Sequence, residues 1–124
     1  MKIGVIGIGY VGLVSGICFS DFGHSIFLFD RDREKIDMVK KGVSPIFEPG
    51  LELLLERNLK AGRLFFPEDL STLVKAVDVI FIAVGNVKYF MNIRNHLGYL
   101  IQMIHIYCFA LEQVLEKHLI YLID

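Results

Sequence analysis

The stretch that most constrains this chain is a cluster of three glycines near its beginning, at positions 7, 9 and 12. An apolar run over residues 3–8 leads into the cluster, a stretch with helical spacing follows, and a second apolar run over residues 26–29 ends in Asp30. This order predicts a strand, a tight turn, a helix and a second strand. It matches the pattern G-x-G-x-x-G with an acidic residue about 20 positions later, which is typical of βαβ units that bind dinucleotides.

Each glycine has a distinct predicted task. Gly7 lets the chain turn sharply where a side chain would clash, and Gly9 lets the backbone approach a pyrophosphate closely. Gly12, together with Gly16 one turn later, lets the helix lie close to its strand. The helix is expected to begin near Tyr10, where its free N–H groups and the positive end of its dipole would point at the phosphates.

Asp30 is the candidate residue for the ribose, because its carboxylate can accept hydrogen bonds from both ribose hydroxyls. Its negative charge would repel the extra phosphate of NADP, so the expected cofactor is NAD. Arg31 and Arg33 argue the other way, since a neighbouring arginine can accommodate that phosphate. Lys35 lies close enough to Asp30 to reach the adenosine side of a dinucleotide, or it is an ordinary solvated surface lysine. The general alternative is a glycine-rich turn in some other α/β protein, with Asp30 merely ending a strand.

The remaining pattern alternates between helical and strand-like segments. Asp32 is a plausible helix N-cap, with Ile36 and Val39 on a narrow apolar face, and Gly42 is expected to end that helix. Two prolines then bracket an extended loop, and Pro49 suits the first turn of the next helix. The predicted later elements are a helix with leucines at 51, 54, 55 and 59, a strand over 63–66, a helix over 69–76 and a buried strand over 77–84 that ends at Gly85.

These elements predict an α/β fold of Rossmann type, a doubly wound and mostly parallel sheet with helices on both faces. The expected strand order is 3-2-1-4, with a fifth strand if residues 119–123 join the sheet. Residues 1–85 would form the NAD-binding core. Residues 86–124 would form a divergent tail, in which apolar residues repeat at helical spacing from position 97 to 115. The run Ile-Ala-Val-Gly, which ends at Gly85, places a small residue at the carboxyl end of a central strand, where nucleotides bind in such sheets.

Composition narrows the possible partners. The net charge is −1 with no basic stripe, so nucleic acid is not an expected partner. Residues 97–111 are strongly apolar but too short to span a bilayer, which needs about 20 residues. A buried helix, or one that drives self-association, is expected there instead. Cys18 and Cys108 have no ligand or redox spacing, which favours the reducing cytoplasm.

No metal site is expected from the histidines. His96, His105 and His118 lack the i, i+4 spacing with which a helix presents two imidazoles to one metal ion. They are interpreted as ordinary residues of the tail.

Four segments together resemble the UDP-glucose/GDP-mannose dehydrogenase family. They are M-K-I-G-V-I-G-I-G-Y-V-G-L-V, F-D-R-D-R-E-K-I, S-P-I-F-E-P-G-L and D-V-I-F-I-A-V-G. The third is the most specific, because other Rossmann dehydrogenases share the glycines but not this loop. The resemblance covers roughly residues 1–85.

The resemblance implies an enzyme that oxidises the C6 alcohol of a sugar nucleotide to the acid in two NAD-dependent steps. It implies that Gly7, Gly9, Val11 and Gly12 hold the pyrophosphate. It also implies that Asp30 and Lys35 bind the adenosine ribose side. Residues 48–50 look like a family loop near the cofactor and the domain cleft, although a loop that starts a helix explains them equally well, so no catalytic role is assigned there.

The sequence departs from the family after Gly85. The family continues with Thr-Pro, where Asn86 and Val87 stand here. The resemblance places the catalytic cysteine, its assisting lysine and asparagine, and the sugar-nucleotide pocket beyond residue 124, so no catalytic residue is assigned. Three interpretations stay open at this point. They are the NAD-binding part of a dehydrogenase that is inactive alone, a non-catalytic NAD-binding module, and a non-functional truncated gene product.

Overall fold

The computed structural model describes residues 1–85 in full and the backbone of two further strands, His105–Phe109 and Ile120–Leu122. The first βαβ unit comprises β1 (Lys2–Ile6), α1 (Tyr10–Asp21) and β2 (Ser25–Phe29), as the glycine pattern predicts. The elements that follow are α2 (Arg33–Lys40), α3 (Leu51–Lys60), β3 (Leu64–Phe65), α4 (Leu70–Ala76), β4 (Val79–Ile82), β5 (His105–Phe109) and β6 (Ile120–Leu122).

The strands form one sheet in the order β3-β2-β1-β4-β5-β6. The pairs from β3 to β5 are parallel, and β6 joins β5 in the antiparallel direction. The predicted order 3-2-1-4 and the mostly parallel Rossmann-type sheet are therefore confirmed. Because β1 lies between β2 and β4, its carboxyl end is the place where the connections diverge to opposite sides, which is where ligands bind in such sheets.

Alternate residues of the central strands serve two separate cores, one on each face of the sheet. Val5 and Leu28 lie under α1, α2 and α3, while Ile6 and Phe29 lie on the face covered by α4. Burial on both faces explains why the strands read as continuous apolar runs instead of alternating with polar residues.

Local signals place the helix boundaries close to the predicted ones. The side chain of Asp32 accepts hydrogen bonds from the N–H groups of Glu34 and Lys35, which makes it the N-cap of α2 as predicted. One detail differs, because Pro49 lies before α3 instead of in its first turn. The N-cap of α3 is Gly50, whose φ of 82° is a left-handed conformation that glycine adopts without strain.

The helical prediction for the tail is wrong over residues 105–109, which form β5 between β4 and β6. A short apolar run cannot be assigned to helix or strand from its periodicity alone, and the edge of β4 offers unpaired backbone groups that a strand satisfies. The predicted strand at 119–123 is present as Ile120–Leu122, as the sixth strand instead of the fifth. The other tail positions assigned to a helix lie outside the described residues.

Candidate functional site

The turn after β1 is built around a glycine that no other residue replaces without strain. Gly7 has a φ of 94°, in the left-handed region, as its predicted role requires. A Cβ atom at this position would lie 2.6 Å from the carbonyl oxygen of Ala83. The end of β4 therefore presses against the turn, and both the conformation and the space require glycine.

The start of α1 approaches β1 so closely that Gly12 also has no room for a side chain. A Cβ atom on Gly12 would lie 1.8 Å from the carbonyl oxygen of Gly7. One turn later, a Cβ atom on Gly16 would lie 3.0 Å from the Leu28 side chain. The predicted role of these two glycines in close packing of helix and strand matches this geometry.

Gly9 differs from its neighbours because a Cβ atom there would meet none of the described residues within 4 Å. Its φ of −76° is one that any residue adopts, so neither strain nor packing within the protein requires a glycine. The described residues therefore impose no requirement for glycine at this position. Such an open position beside a helix start leaves room for a ligand to approach the backbone.

The backbone around Gly9 offers hydrogen-bond donors to that open space. The first helical bond of α1 runs from the N–H of Leu13 to the carbonyl of Gly9 at 2.9 Å. Within the described part of the chain, the N–H groups of Gly9, Tyr10, Val11 and Gly12 have no backbone acceptor. The first turn of α1 contains no acidic residue to compensate them. This is the arrangement of a helix N-terminus that binds phosphate.

Asp30 follows directly after β2 and lies beside the turn formed by residues 7–9, between β1 and α1, which is called the glycine turn below. One carboxylate oxygen accepts the N–H of Ile8 at 2.9 Å, and the other accepts the N–H of Asp32 at 2.9 Å. An ionised carboxylate has about four acceptor positions, so two remain for other donors. The geometry thus brings Asp30 and the glycine turn together, as the sequence predicts.

Lys35 lies in the first turn of α2, and its side chain is half-buried. Its backbone N–H donates to the Asp32 carboxylate at 3.4 Å, and Asp32 in turn donates its own N–H to Asp30. The chain from Asp30 to Lys35 is therefore a compact, hydrogen-bonded turn. This places the backbone of Lys35 near Asp30, the candidate residue for the ribose.

Arg33 has partners inside the protein. Its guanidinium donates to the carbonyl oxygen of Glu68 and lies over the ring of Phe29, 5.6 Å from the ring centroid. These contacts hold its charge against the β3–α4 connection. Arg33 is thus a weaker argument for the extra phosphate of NADP than the sequence alone suggested.

Two residues at this site were missed by sequence reasoning. The backbone N–H of Ile8 donates to the Asp30 carboxylate, and a pattern of residue types cannot reveal a backbone contact. Ala83 packs between Gly7 and Gly12, and its only sequence signal was the small residue at the end of a buried strand. Gly85, two positions after Ala83, is exposed at the same edge of the sheet.

The loop before α3 borders a cavity that no residue of the glycine turn lines. Residues 44–50, with Glu52 and Leu53, line a cavity of about 540 Å³, and none of the candidate cofactor-binding residues is among them. Phe47 is 85% exposed at this loop. The N–H of Ser44 donates to the Glu52 carboxylate, which together with the turn at Gly50 fixes the loop onto the helix.

A mostly parallel Rossmann-type sheet, a glycine turn that exposes free N–H groups, and an acid at the end of β2 define a dinucleotide-binding domain. Comparison with known proteins makes the assignment specific. The sequence model of the UDP-glucose/GDP-mannose dehydrogenase family, NAD binding domain, matches residues 1–118. The chain belongs to this family, and its cofactor is NAD.

Individual relatives agree with this assignment. UDP-glucose 6-dehydrogenase of Rhizobium meliloti is 60% identical over 85 residues, which are 68% of this chain and 20% of that protein. GDP-mannose 6-dehydrogenase of Pseudomonas aeruginosa is 39% identical over 118 residues, 95% of this chain and 27% of that protein. The chain thus spans about a fifth to a quarter of the length of these relatives.

Solved structures show the same fold. A ternary complex of GDP-mannose dehydrogenase from Pseudomonas aeruginosa superposes with a TM-score of 0.80 at 33% identity, covering 90% of this chain and 29% of that one. A UDP-glucose dehydrogenase from Pyrobaculum islandicum gives 0.78 at 30% identity, with 88% and 29% covered. None of the helices in the described residues is long and apolar enough to cross a membrane.

Proposed function

We propose that this chain is the NAD-binding part of a dehydrogenase that oxidises the C6 alcohol of a sugar nucleotide to the carboxylate. NAD supplies the hydride acceptor for such a reaction. The sugar nucleotide would be a partner only when a substrate domain completes the cleft, because no catalytic side chain is assigned within residues 1–124.

The observation that carries the proposal is the open backbone at Gly9. The described residues leave room for a side chain at Gly9, yet Gly9 lies where free N–H groups converge at the start of α1. A pyrophosphate carries negative charge and several acceptor oxygens, which suit these donors and the helix dipole. The backbone N–H groups of Tyr10 and Val11 are the proposed direct donors.

The other proposed contacts follow the edge of the sheet. The two free acceptor positions of Asp30 would receive the ribose hydroxyls, and the ammonium group of Lys35 would lie on the same adenosine side. Gly7 and Gly12 would shape the turn without touching the cofactor through side chains. Gly85, at the end of the central β4 segment, would border the opposite half of the dinucleotide. The proposed domain boundary between this core and the divergent tail lies at Gly85.

A non-catalytic NAD-binding module is the second candidate. The observation that favours it is the replacement of the family's Thr-Pro by Asn86 and Val87 directly after Gly85. Proline is a turn-forming residue that fixes its own φ, and valine does not replace that property. Binding without turnover, even when a complete relative supplies the missing part, would support this candidate.

Two further features of the cellular setting are proposed. A cytoplasmic location agrees with Cys18, a half-buried free thiol on α1.

Self-association through the apolar residues 97–111 remains a proposal that rests on composition, and its helical premise no longer applies to residues 105–109. Light scattering on the whole chain tests it, because a monomer at tens of micromolar would contradict it.

The decisive experiment is calorimetric titration of the Gly9→Ala variant with NAD. The added methyl group enters open space at an unstrained φ, so the melting temperature should change little. NAD affinity should fall at least about tenfold, because the methyl group occupies the position of the pyrophosphate and no longer lets it reach the N–H groups.

The matched control is Gly16→Ala, which adds the same methyl group to the same helix. That methyl group points at the Leu28 side chain instead of the open surface, so NAD affinity should stay within about twofold of the wild type. The proposal fails if wild-type protein binds no NAD. It fails equally if Gly9→Ala binds NAD as tightly as wild type does.

A further inference from the structure

The Asp30 carboxylate is already engaged before any ribose is considered. Both of its oxygens accept backbone N–H groups, one from Ile8 in the glycine turn and one from Asp32 in the turn that leads into α2. Hydrogen bonds to an ionised acceptor are roughly twice as strong as neutral ones. Asp30 therefore joins two loops that meet at the proposed cofactor site.

The contact with Ile8 lies at a critical point of the glycine turn. The N–H of Gly7 is held by the carbonyl of Phe29 at 2.8 Å, and the next N–H along the chain, that of Ile8, is held by Asp30. The N–H groups after these two are the ones left for a ligand. Two successive bonds to the end of β2 thus fix the turn immediately before the free donors begin.

The Ile8 N–H needs this acceptor. Ile8 is fully buried, and buried backbone donors in folded proteins are almost always paired. Without the carboxylate, the turn would have to shift until its N–H reached water or another acceptor. Such a shift would move the neighbouring Gly9 and the start of α1, where the phosphate donors lie.

We propose that Asp30 is a positioning residue for the phosphate-binding turn, in addition to its proposed contact with the ribose. Its carboxylate holds the turn in its binding conformation in the ligand-free protein, so its removal weakens the binding of the pyrophosphate group itself. The expected weakening of phosphate binding rests on the proposed NAD site. The ordering of Ile8 by Asp30 is independent of that site.

The two roles of Asp30, ribose binding and positioning of the turn, predict opposite changes in the affinity for a ligand that has phosphates but no ribose. If Asp30 only bound ribose, its removal would leave a ligand without ribose unaffected, or would strengthen its binding because a negative charge near the phosphates is lost. If Asp30 positions the turn, the same removal weakens that ligand despite the loss of repulsion. Inorganic pyrophosphate is a suitable probe because it has phosphates and no ribose.

The experiment measures pyrophosphate affinity by NMR titration of wild type, Asp30→Asn and Asp30→Ala. In Asp30→Asn the side chain keeps its shape but has one amide oxygen to accept one of the two N–H groups, so the affinity of this variant should lie between the other two. Asp30→Ala should bind pyrophosphate about tenfold more weakly than wild type, which is the scale expected for the loss of a charge-assisted hydrogen bond. Equal or tighter binding by Asp30→Ala would overturn the proposal.

Asp37→Asn is the matched control for charge. It removes one exposed carboxylate from the outer face of α2 without touching the turn, so it should leave pyrophosphate affinity unchanged or slightly raised. A loss in Asp37→Asn equal to that in Asp30→Ala would mean that net charge, not positioning, sets the affinity. That result would also overturn the proposal.

Hydrogen exchange of the Ile8 amide tests the structural half without any ligand. The Ile8 amide should exchange at least about tenfold faster in Asp30→Ala than in wild type, while amides in the middle of β1 keep their protection. Unchanged Ile8 exchange would refute the ordering of the turn by Asp30. If wild-type protein binds neither NAD nor pyrophosphate, the proposed function fails, and this measurement still decides whether Asp30 orders the turn.

Discussion

Gly12 lies against the carbonyl oxygen of Gly7, so closely that a Cβ atom at position 12 would be 1.8 Å from that oxygen. The clash is with backbone, which cannot rotate away as the end of a side chain can. Because the first turn of α1 and the glycine turn are both built on this contact, a larger residue at position 12 must push the helix off the sheet. One close contact between backbone atoms of Gly12 and Gly7 thus fixes both the start of α1 and the glycine turn.

We therefore expect Gly12→Ala to lower the free energy of unfolding by about 3 kcal/mol or more, in the upper range for overpacking of a tight interior. Gly16→Ala, with 3.0 Å to the end of the Leu28 side chain, should change the free energy by no more than about 1 kcal/mol. Urea denaturation of both variants measures the difference. Equal stabilities would show that the turn relaxes away from α1 at little cost.

Asn58 joins α1, α3 and the start of β3 through a buried amide. Its Nδ2 donates to Asp21 at 3.1 Å and to the Leu54 carbonyl at 2.9 Å, and its Oδ1 accepts from Arg63 at 3.0 Å. Asn58 is fully buried, so removal of the amide leaves partners without bonds. Asn58→Ala should lower the free energy of unfolding by about 2–3 kcal/mol, as measured by denaturant titration.

Ser20 gives the opposite expectation for a buried polar side chain. It is fully buried on α1, and among the residues that the structure describes its hydroxyl has no hydrogen-bond partner. A buried hydroxyl without a partner costs free energy that a methyl group does not. Ser20→Ala should therefore leave stability unchanged or raise it by up to about 1 kcal/mol. A clear loss of stability would point to a partner for the hydroxyl.

Asp21 predicts how stability responds to acid. The hydrogen bond from Arg57, followed by that from Asn58, holds the pKa of the Asp21 carboxyl below its usual value of 3.8. A lowered folded-state pKa stabilises the fold above the unfolded-state pKa, and this contribution is lost as the pH falls below 3.8 through the folded-state value.

The free energy of unfolding of wild type should therefore fall more steeply below about pH 4 than that of Asp21→Asn. A residual slope is expected in the variant, because Glu56 and Asp69 also have lowered pKa values, caused mainly by Lys60 and by the Thr72 N–H respectively. Identical slopes in the two proteins would mean that Asp21 is not coupled to folding.

Much of the fold could be predicted from sequence because its signals are local. The turn at Gly7, the N-cap at Asp32 and the apolar runs of β1 and β4 each depend on a few neighbouring residues. Short, right-handed parallel crossovers allow this strand order, and the dinucleotide-binding pattern favours it over other doubly wound orders. The glycine pattern also placed Asp30 beside the turn, because the end of β2 must lie next to the end of β1.

Other features could not be predicted, because they depend on contacts distant in sequence or on backbone atoms. The N–H of Ile8 is a partner of Asp30 only after the fold brings the two loops together. Asn58 gave no signal, since its partner Asp21 lies 37 positions away on α1 and only the fold brings the two side chains together. The strand His105–Phe109 was mistaken for helix, because the decisive factor was the unpaired edge of β4 and not its own periodicity.

The chain alone should not oxidise UDP-glucose. The proposed chemistry needs a nucleophilic thiolate near the C6 carbon, and neither Cys18 nor Cys108 matches the family's catalytic motif. Absorbance of NADH, followed with UDP-glucose and NAD in excess, should show no signal above the blank. Turnover that disappears on Cys18→Ser or Cys108→Ser would contradict this, and would identify the nucleophile directly.

Asp30 should make the protein discriminate between NAD and NADP. The extra phosphate of NADP would lie beside the Asp30 carboxylate, and the two negative charges would repel each other. Arg31 and Arg33 are the residues that the sequence offers to offset this repulsion, and the guanidinium of Arg33 contacts the Glu68 carbonyl and the Phe29 ring. Calorimetry should therefore give NADP at least about tenfold weaker binding than NAD.

Arg33→Ala is the variant that decides how this preference arises. If Arg33 stays with Glu68 and Phe29 when cofactor binds, its removal leaves the ratio of NAD to NADP affinity unchanged. If Arg33 swings out to the phosphate, its removal weakens NADP selectively, and the ratio rises. Similar affinities for the two cofactors in the wild type would mean that positive charge outweighs the Asp30 carboxylate, and the assignment of Asp30 as the source of the preference for NAD would be wrong.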